Sequence, residues 1–199
     1  MKTIFRRPLL AAICAGTLAG AAHAEPLPLP KIDYAVKAKM MGGMTMTSRH
    51  AGGKMRMEMS APGMPVPMTA YIDLKTRKVL TVLSVPGASA MAMETDIGSE
   101  GASPVAVGEG RRVGTATVAG ETCDLWQVEG KSSAEQSMDA VACISSDGIP
   151  LRFEATIEGK RQTLLEVTEI TRAPQDAKSM IPPANLKKMQ MPAGMPPRK

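Results

Sequence analysis

Methionine is the residue type whose number and spacing in this sequence could do chemistry. The 199-residue chain has 17 methionines but only two phenylalanines, two tyrosines and one tryptophan. Thioether sulfurs are soft ligands of the kind that select Cu(I). The same flexible side chains also fill irregular apolar space and adapt to ligands of varying shape. Many of them form Met-x-Met patterns, at Met44/Met46, Met55/Met57/Met59, Met91/Met93 and Met189/Met191.

Three interpretations of these methionines compete. The first is core packing, because the methionines of segment 54–60 alternate with charged residues, as in a half-buried strand. The second is a metal site for Cu(I) built from Met55, Met57 and Met59 with His50 as a nitrogen ligand. Alternate positions along a strand would, however, separate the sulfurs by about 7 Å. The third is an apolar cavity, with a predicted lining of Met44, Met46, Met55, Met57, Met59, Met91 and Met93.

Groups for catalysis are sparse in this sequence. It has two histidines, and His23 lies in a segment that we expect to be removed, which leaves His50. A serine hydrolase needs a histidine base beside its nucleophile, and a zinc site needs several histidine or cysteine ligands at suitable spacing. We interpret His50 as a solvated turn residue beside Gly52-Gly53. The sequence therefore predicts a protein that is not an enzyme and has no cofactor.

Cys123 and Cys143 are predicted to form a structural disulfide. Their spacing differs from the C-x-x-C pattern of redox-active pairs, and export to an oxidising compartment favours a disulfide. The segments 122–128 and 140–145 both have strand patterns. A hairpin centred near Ser133 would place the two cysteines directly opposite each other. Closing a loop of this size would contribute roughly 3 kcal/mol to stability.

The first 24 residues have the three parts of a secretory signal peptide. A basic start is followed by an apolar stretch at 9–18 and by a small–x–small motif that ends at Ala24. The apolar stretch is shorter than the roughly 20 residues that a membrane-spanning helix needs. We therefore predict cleavage between Ala24 and Glu25, and a periplasmic protein without a stable membrane anchor.

Charge and length limit the possible functions further. Loss of Lys2, Arg6 and Arg7 with the leader lowers the 24 basic residues to 21, against 19 acidic residues. Such a balance argues against a nucleic-acid-binding surface, which would concentrate basic residues on one face. The remaining chain of about 175 residues fits one domain with its own core. The Arg6-Arg7 pair leaves the export route, general or twin-arginine, open.

Alternation of apolar and polar residues predicts a mainly β, antiparallel domain that would position these groups. Asp147-Gly148 is the strongest turn signal, and Trp126 is predicted to be buried. Segment 88–97 fits either a short helix or a strand, and 98–110 has the composition of a linker. The predicted strands span 34–40, 44–49, 54–60, 69–74, 79–85, 113–118, 122–128, 140–145, 151–158 and 163–171.

Three passages resemble the LolA-like superfamily of periplasmic lipoprotein-carrier and lipoprotein-sensor domains, and more closely uncharacterised families near it. They are GKMRMEM followed by AYIDLKTRKVLTV, then VGTATVAGETCDLWQV, then ACISSDGIPLRFEA. The resemblance covers roughly residues 34–192. It implies an α+β fold, mainly β, in which an unclosed antiparallel half-barrel has its concave face covered by short helices. Members of the superfamily with known roles hold acyl chains or other apolar groups in that concavity.

The resemblance and the methionines together predict a monomeric periplasmic binding or carrier protein for a lipid, an acyl chain or another apolar ligand. A copper(I)-binding protein is the alternative, and a structural or accessory envelope protein is the second alternative. A carrier would also have an envelope protein partner. The predicted organisation is a leader at 1–24, an extended segment at 25–33, a β domain at 34–186 and a flexible Met-, Pro- and Lys-rich tail at 187–199.

Overall fold

The computed structural model describes residues 24–84, 90–97, 108–129, 139–184 and 186–189. These residues form one large sheet of 13 strands whose two edges do not pair with each other, so the predicted unclosed, mainly antiparallel β fold is confirmed. The predicted helical cover is not found in the described residues. Their only helices are two 3-10 turns, at Met41–Gly43 and Ala177–Met180. No helix among them is long and apolar enough to cross a bilayer.

The strands follow the alternation in the sequence. In chain order they are β1 (Glu25–Pro26), β2 (Tyr34–Met40), β3 (Thr45–Ala51), β4 (Lys54–Ser60), β5 (Met68–Asp73), β6 (Lys78–Leu83), β7 (Met91–Asp96), β8 (Glu109–Val118), β9 (Glu121–Glu129), β10 (Ala140–Ser145), β11 (Pro150–Ile157), β12 (Lys160–Thr171) and β13 (Lys187–Met189). The ten predicted strands are therefore confirmed, with bounds that differ by up to four residues. The ambiguous segment 88–97 contains β7, a strand.

Two segments depart from simple expectations. Most of the predicted linker, residues 98–107, lies outside the described residues, and its last two residues already belong to β8. The predicted tail begins with β13, which pairs in parallel with β7. Residues 190–199 lie outside the described part of the chain, as do the leader residues 1–23.

The sheet joins two successive meanders side by side. Its order is β1-β8-β9-β10-β11-β12-β2-β3-β4-β5-β6-β7-β13, so β2 lies between β12 and β3. Val167 is opposite Ala38 and Ile170 is opposite Val36, with a bulge at Thr168 between them. The Thr168 hydroxyl, freed by the bulge, donates a hydrogen bond of 3.2 Å to the carbonyl of Lys37. The two halves of the sequence therefore form one continuous sheet.

One face of this sheet forms the larger core. A single sheet can bury a face without a second layer only by curling that face inward, so we call it the inner face. Residues from both meanders meet there, because Val36 and Met57 of the first pack in the same cluster as Val118 and Leu151 of the second. The buried members are Tyr34, Val36, Ala38, Met46, Met55, Met57, Ala70, Ile72, Ile97, Val118, Cys123, Cys143, Ile149, Leu151, Leu165 and Val167.

A smaller core fixes the N-terminal segment. Leu27 packs with Trp126 and two neighbouring residues of β10, and Phe153 contacts both cores. The backbone N–H of Leu27 donates to the Gly108 carbonyl at 2.9 Å, and that of Lys31 donates to the Asp147 carbonyl at 3.0 Å. The extended segment that precedes β2 is thus tied to the second meander. The predicted burial of Trp126 is confirmed, since 6% of this residue is exposed.

The predicted disulfide joins Cys123 and Cys143, whose Cα atoms are 5.4 Å apart. The predicted register was wrong, because Cys123 lies opposite Ser145 and Cys143 lies opposite Leu125. The two cysteines are therefore diagonal neighbours and not direct partners. A diagonal pair on one face still has a Cα separation inside the range that a disulfide spans.

Candidate functional site

Methionines on three neighbouring strands form a row across the inner face. Met46 of β3 is opposite Met59 of β4, and Met59 is opposite Met68 of β5. Leu83 of β6 is opposite Met91 of β7, and the pairing of Thr69 with Val82 places Leu83 next in line after Met68. We call Met46, Met59, Met68, Leu83 and Met91 the first row.

A second row lies two residues further along each strand. It contains Ser48, Met57, Ala70, Thr81 and Met93, which face one another in that order across β3 to β7. Side chains two positions apart on a strand point to the same face. The inner face therefore carries six of the seven methionines that the sequence predicted to line an apolar cavity: Met46, Met55, Met57, Met59, Met91 and Met93.

The exposure of these side chains increases from β3 towards β7. Met46 is 4% exposed, Met55 3% and Met57 1%. Met59, Met68, Met91 and Met93 are only partly buried, and Leu83 is 40% exposed. We call this partly exposed end of the inner face the open corner; it consists of Met59, Met68, Leu83, Met91 and Met93.

The gradient follows the extent of the main core. Met46, Met55 and Met57 belong to the buried cluster that also contains Leu165 and Val167 of β12. Of the open corner, the described contacts place only Met59 against that cluster. The first three methionines are therefore core residues, and the accessible ones lie on β4 to β7.

Met44 lies outside both rows. It precedes β3 in the turn that follows β2, and its carbonyl accepts a hydrogen bond of 2.8 Å from the N–H of Met40. Met44 has an extended backbone and is partly buried, just before the first residue of β3. The spacing of Met44 and Met46 predicted that the strand begins at Met44. The observed strand, β3, begins one residue later, at Thr45.

His50 is a buried residue, so the prediction of a solvated turn residue was wrong. It is 3% exposed; its Nδ1 donates to the Ile32 carbonyl at 2.8 Å, and its Nε2 accepts the Gly53 N–H at 3.2 Å. The extended segment before β2 supplies the Ile32 carbonyl, a long-range contact that local sequence does not reveal. Both ring nitrogens are thus engaged in holding backbone groups.

The positions of the four residues argue against the metal site predicted from Met55, Met57, Met59 and His50. His50 is directly opposite Met55, so these two residues are neighbours. Met59, four residues from Met55 on the same strand, is about 13 Å further along it. A metal at His50 would also have to replace one of the two hydrogen bonds of its ring. The four residues therefore do not converge on one point.

Charged residues meet at the end of the sheet where the β8–β9 and β10–β11 turns lie. Arg172 donates to Glu121 through two bonds of 2.9 and 3.0 Å and to Asp147 at 2.7 Å. Burial acts to raise the pKa of Asp147, but hydrogen bonds from Arg172 and Ser145 outweigh it and hold that pKa below its ordinary value. The hydrogen bonds to Asp147 and Glu121 raise the pKa of Arg172. The cluster joins the β8–β9 and β10–β11 turns to the end of β12.

The outer face carries a groove that sequence reasoning missed. It has a volume of about 260 Å³ and lies between β5–β7 and the 3-10 turn at Ala177–Met180. The Arg56 guanidinium lies 5.8 Å from the ring centroid of Tyr71 beside it. The groove depends on a turn that returns from the end of β12, which no local pattern indicates. Its lining is Lys54, Tyr71, Ile72, Asp73, Lys78, Leu80, Glu94, Met180 and Pro182.

The described residues contain no group of three or more histidine, cysteine, aspartate or glutamate side chains that could hold a metal ion. The absence of catalysis stays a prediction. The open corner is the accessible site that the methionines form, and its chemistry is that of thioethers and aliphatic carbon.

Comparisons with known proteins find only distant likeness. No family model and no curated protein matches the sequence. The structure is similar to that of MucB, with a TM-score of 0.47 and 13% identity over 84% of this chain and 63% of that one. It is similar to PNGF-II with a TM-score of 0.41 and 12% identity, over 79% of this chain and 30% of that one. The chain thus spans less than two thirds of either protein. At TM-scores below 0.5, neither likeness carries an argument about family or function, and the LolA-like resemblance stays a prediction.

Proposed function

We propose that this protein is a non-catalytic periplasmic binding protein that holds a lipid acyl chain against the open corner. The observation that carries the proposal is the pair of methionine-rich rows, which pass from full burial on β3 to partial exposure on β7. An acyl chain is apolar and flexible, as this surface is. It requires no polar partner, and none of the five side chains of the corner is polar.

The shape of the corner suits an elongated ligand. The first row crosses from Met59 on β4 to Met91 on β7, which spans about 14 Å at the usual spacing between strands. A chain lying along this row would contact one apolar side chain on every strand. Each methylene group removed from water contributes about 0.8 kcal/mol, so affinity would rise with chain length until the row is filled.

Methionine is suited to such a ligand for a physical reason. Its unbranched side chain has three rotatable bonds and a polarizable sulfur, so a methionine surface can repack around chains of different length. Rigid aromatic or β-branched residues would fix one shape. The covered part of the same face, around Met46 and Met57, provides a well-packed support for the accessible part.

The disulfide supports the proposed compartment. Cys123 and Cys143 are buried and bonded to each other, and structural disulfides persist in oxidising compartments such as the periplasm. The predicted leader would deliver the protein there. An acyl chain in that compartment is exposed to water unless an apolar surface covers it. A binding protein would provide that surface.

Binding of an environment-sensitive fluorescent fatty acid would test the proposal. We expect saturable binding of one probe and an affinity that increases with chain length. Met68→Gln and Met93→Gln keep the size of the side chain but add an amide to the corner, and should each weaken binding about tenfold. Val113→Gln is the control, because Val113 lies on β8, in the other meander, and is 57% exposed.

Two outcomes would contradict the proposal. One is probe binding that Met68→Gln and Met93→Gln leave unchanged while Trp126 emission reports an intact fold. The other is native mass spectrometry of protein purified from its own envelope fraction that gives a bare mass, combined with no probe binding. The methionines would then only pack the core, and the structural or accessory role would replace the binding role.

A further inference from the structure

The first row also places three methionines side by side on three neighbouring strands. Met46 and Met68 both lie directly opposite Met59, and directly opposite residues of antiparallel strands have Cβ atoms about 4.5–5.5 Å apart. Thioethers bind Cu(I) in preference to harder divalent ions. We propose that Met46, Met59 and Met68 form a binding site for one Cu(I) ion, with Met59 at its centre.

The geometry favours this row over sites along one strand. Methionines two positions apart, such as Met57 and Met59, are separated by about 7 Å and point away from the strand in parallel. Direct partners across strands start closer together, with Cβ atoms about 4.5–5.5 Å apart. The flexible side chains of Met46 and Met68 can then lean towards Met59 from either side.

The described residues around Met46, Met59 and Met68 offer a copper ion sulfur ligands rather than nitrogen or thiolate ligands. Both cysteines are bonded in the disulfide, and His50 lies two rows away with both ring nitrogens in hydrogen bonds. The charged residues of β4, Arg56 and Glu58, alternate with the methionines and therefore point to the outer face. A neutral, sulfur-only set selects Cu(I) and discriminates against zinc and Cu(II).

Access to the site comes from the open corner. Met46 is 4% exposed, whereas Met59 and Met68 are partly buried, so an ion would reach Met59 and Met68 first and Met46 would complete the set from the core side. Thioethers carry no proton in the accessible pH range. Binding should therefore be nearly independent of pH between about 5 and 8, unlike binding to histidine or thiolate ligands.

Leucine substitutions separate this site from the proposed acyl-chain site. Met→Leu removes the sulfur but keeps an apolar side chain of similar volume, a change that usually costs less than about 1.5 kcal/mol of stability. A Met46→Leu protein should bind Cu(I) more weakly and still bind the fatty-acid probe, because Met46 is buried outside the open corner. Failure of either proposal is therefore visible without the other.

The experiment is an anaerobic titration of the purified protein with Cu(I) from its acetonitrile complex, in competition with bicinchoninate. We expect one equivalent to bind, and Met59→Leu to weaken it about a hundredfold or more, because even loss of a supporting partner of a ligand costs 10–100-fold. Met46→Leu and Met68→Leu should weaken it as well. X-ray absorption should show sulfur as the only type of neighbour.

Two control variants make the result specific. Met93→Leu changes a corner methionine outside the three, and should leave the affinity unchanged. A double change of Met189 and Met191 to leucine removes the Met-x-Met pattern near the end of the chain, and should also leave it unchanged. The proposal is wrong if this double variant abolishes binding, if Met59→Leu leaves it intact, or if nitrogen neighbours copper.

Discussion

The imidazole ring of His50 stacks on the phenol ring of Tyr34, with ring centroids 5.4 Å apart and an angle of 21° between the planes. The two residues are direct partners on β3 and β2, and both are buried. Burial raises the pKa of Tyr34, and the charge of Asp147 raises it further. The pair joins the N-terminal segment, the β3–β4 turn and the charged end of the sheet.

Replacement of His50 by alanine should lower the free energy of unfolding by about 3 kcal/mol. The change removes the stacked ring and leaves the Ile32 carbonyl and the Gly53 N–H without their partner. Urea denaturation followed by Trp126 fluorescence would measure the loss. Lys39→Ala, at an exposed position on β2, is the control and should change stability by less than about 0.5 kcal/mol. A loss as small as that of the control would show that the ring does not hold these backbone groups.

Gly148 should tolerate no side chain. Its φ is +84°, and a Cβ there would overlap the carbonyl group of Leu29. Gly148→Ala should therefore displace the N-terminal segment and cost more than about 3 kcal/mol. Gly159 has a similar φ of +75° with no atom near its Cβ position, so Gly159→Ala isolates the backbone term, about 1 kcal/mol. Equal losses in denaturation experiments on the two variants would argue against the packing of Leu29 on this turn.

The Asp147 carboxylate should contribute stability that disappears in acid. Since its pKa is lowered in the folded state, the contribution is present above the ordinary value near 4 and is lost as pH falls through the folded value. Asp147→Asn keeps a turn-forming residue, and should cost about 1 kcal/mol at pH 7.

The difference between the wild-type protein and Asp147→Asn should therefore shrink below about pH 4. Glu158→Gln removes a charge from the exposed β11–β12 turn and should give little difference at any pH. Denaturation midpoints between pH 7 and pH 3 would provide the comparison. A difference that persists unchanged at pH 3 would mean that the charge is not its source.

Ser48 and Ser145 offer a matched pair of buried hydroxyls. The Ser48 Oγ has no hydrogen-bond partner among the described residues, whereas the Ser145 Oγ accepts the Ile149 N–H at 3.0 Å. Ser48→Ala should therefore stabilise the protein by about 1 kcal/mol, and Ser145→Ala should destabilise it by about 1 kcal/mol or more. Thermal unfolding would show opposite shifts in Tm. A lower Tm for Ser48→Ala would instead indicate that its hydroxyl is paired.

Local patterns in the sequence predicted the elements well. Period-two alternation determines which side chains share a face, so it identified Met55 and Met57 as inward-facing and placed strands close to their observed bounds. A turn at Asp147-Gly148 also followed from local conformational preference, since Gly148 has a positive φ of the kind that glycine favours. The connection is longer than the two-residue hairpin that the dipeptide suggested, because β10 ends at Ser145 and β11 begins at Pro150.

Relationships between distant segments could not be predicted in the same way. The row of Met46, Met59 and Met68 depends on the registers of two strand pairs, and a shift of one residue would turn the methionines to the other face. The burial of His50 depends on a carbonyl 18 residues earlier in the chain. The diagonal disulfide depends on the register of β9 with β10, which the sequence pattern placed two residues away from the observed one.

The position of β2 between β12 and β3 has a consequence for how the chain reaches its native state. The hydrogen bond from Thr168 to Lys37 spans 131 residues, so the central strand pair can form only after nearly the whole chain is available. Contacts of such long range slow folding, because loop-closure entropy is lost before they form. Until then, one edge of β2 and the methionines beside it are open to other chains. Delayed folding of this kind would be compatible with the predicted export of the chain in an unfolded form.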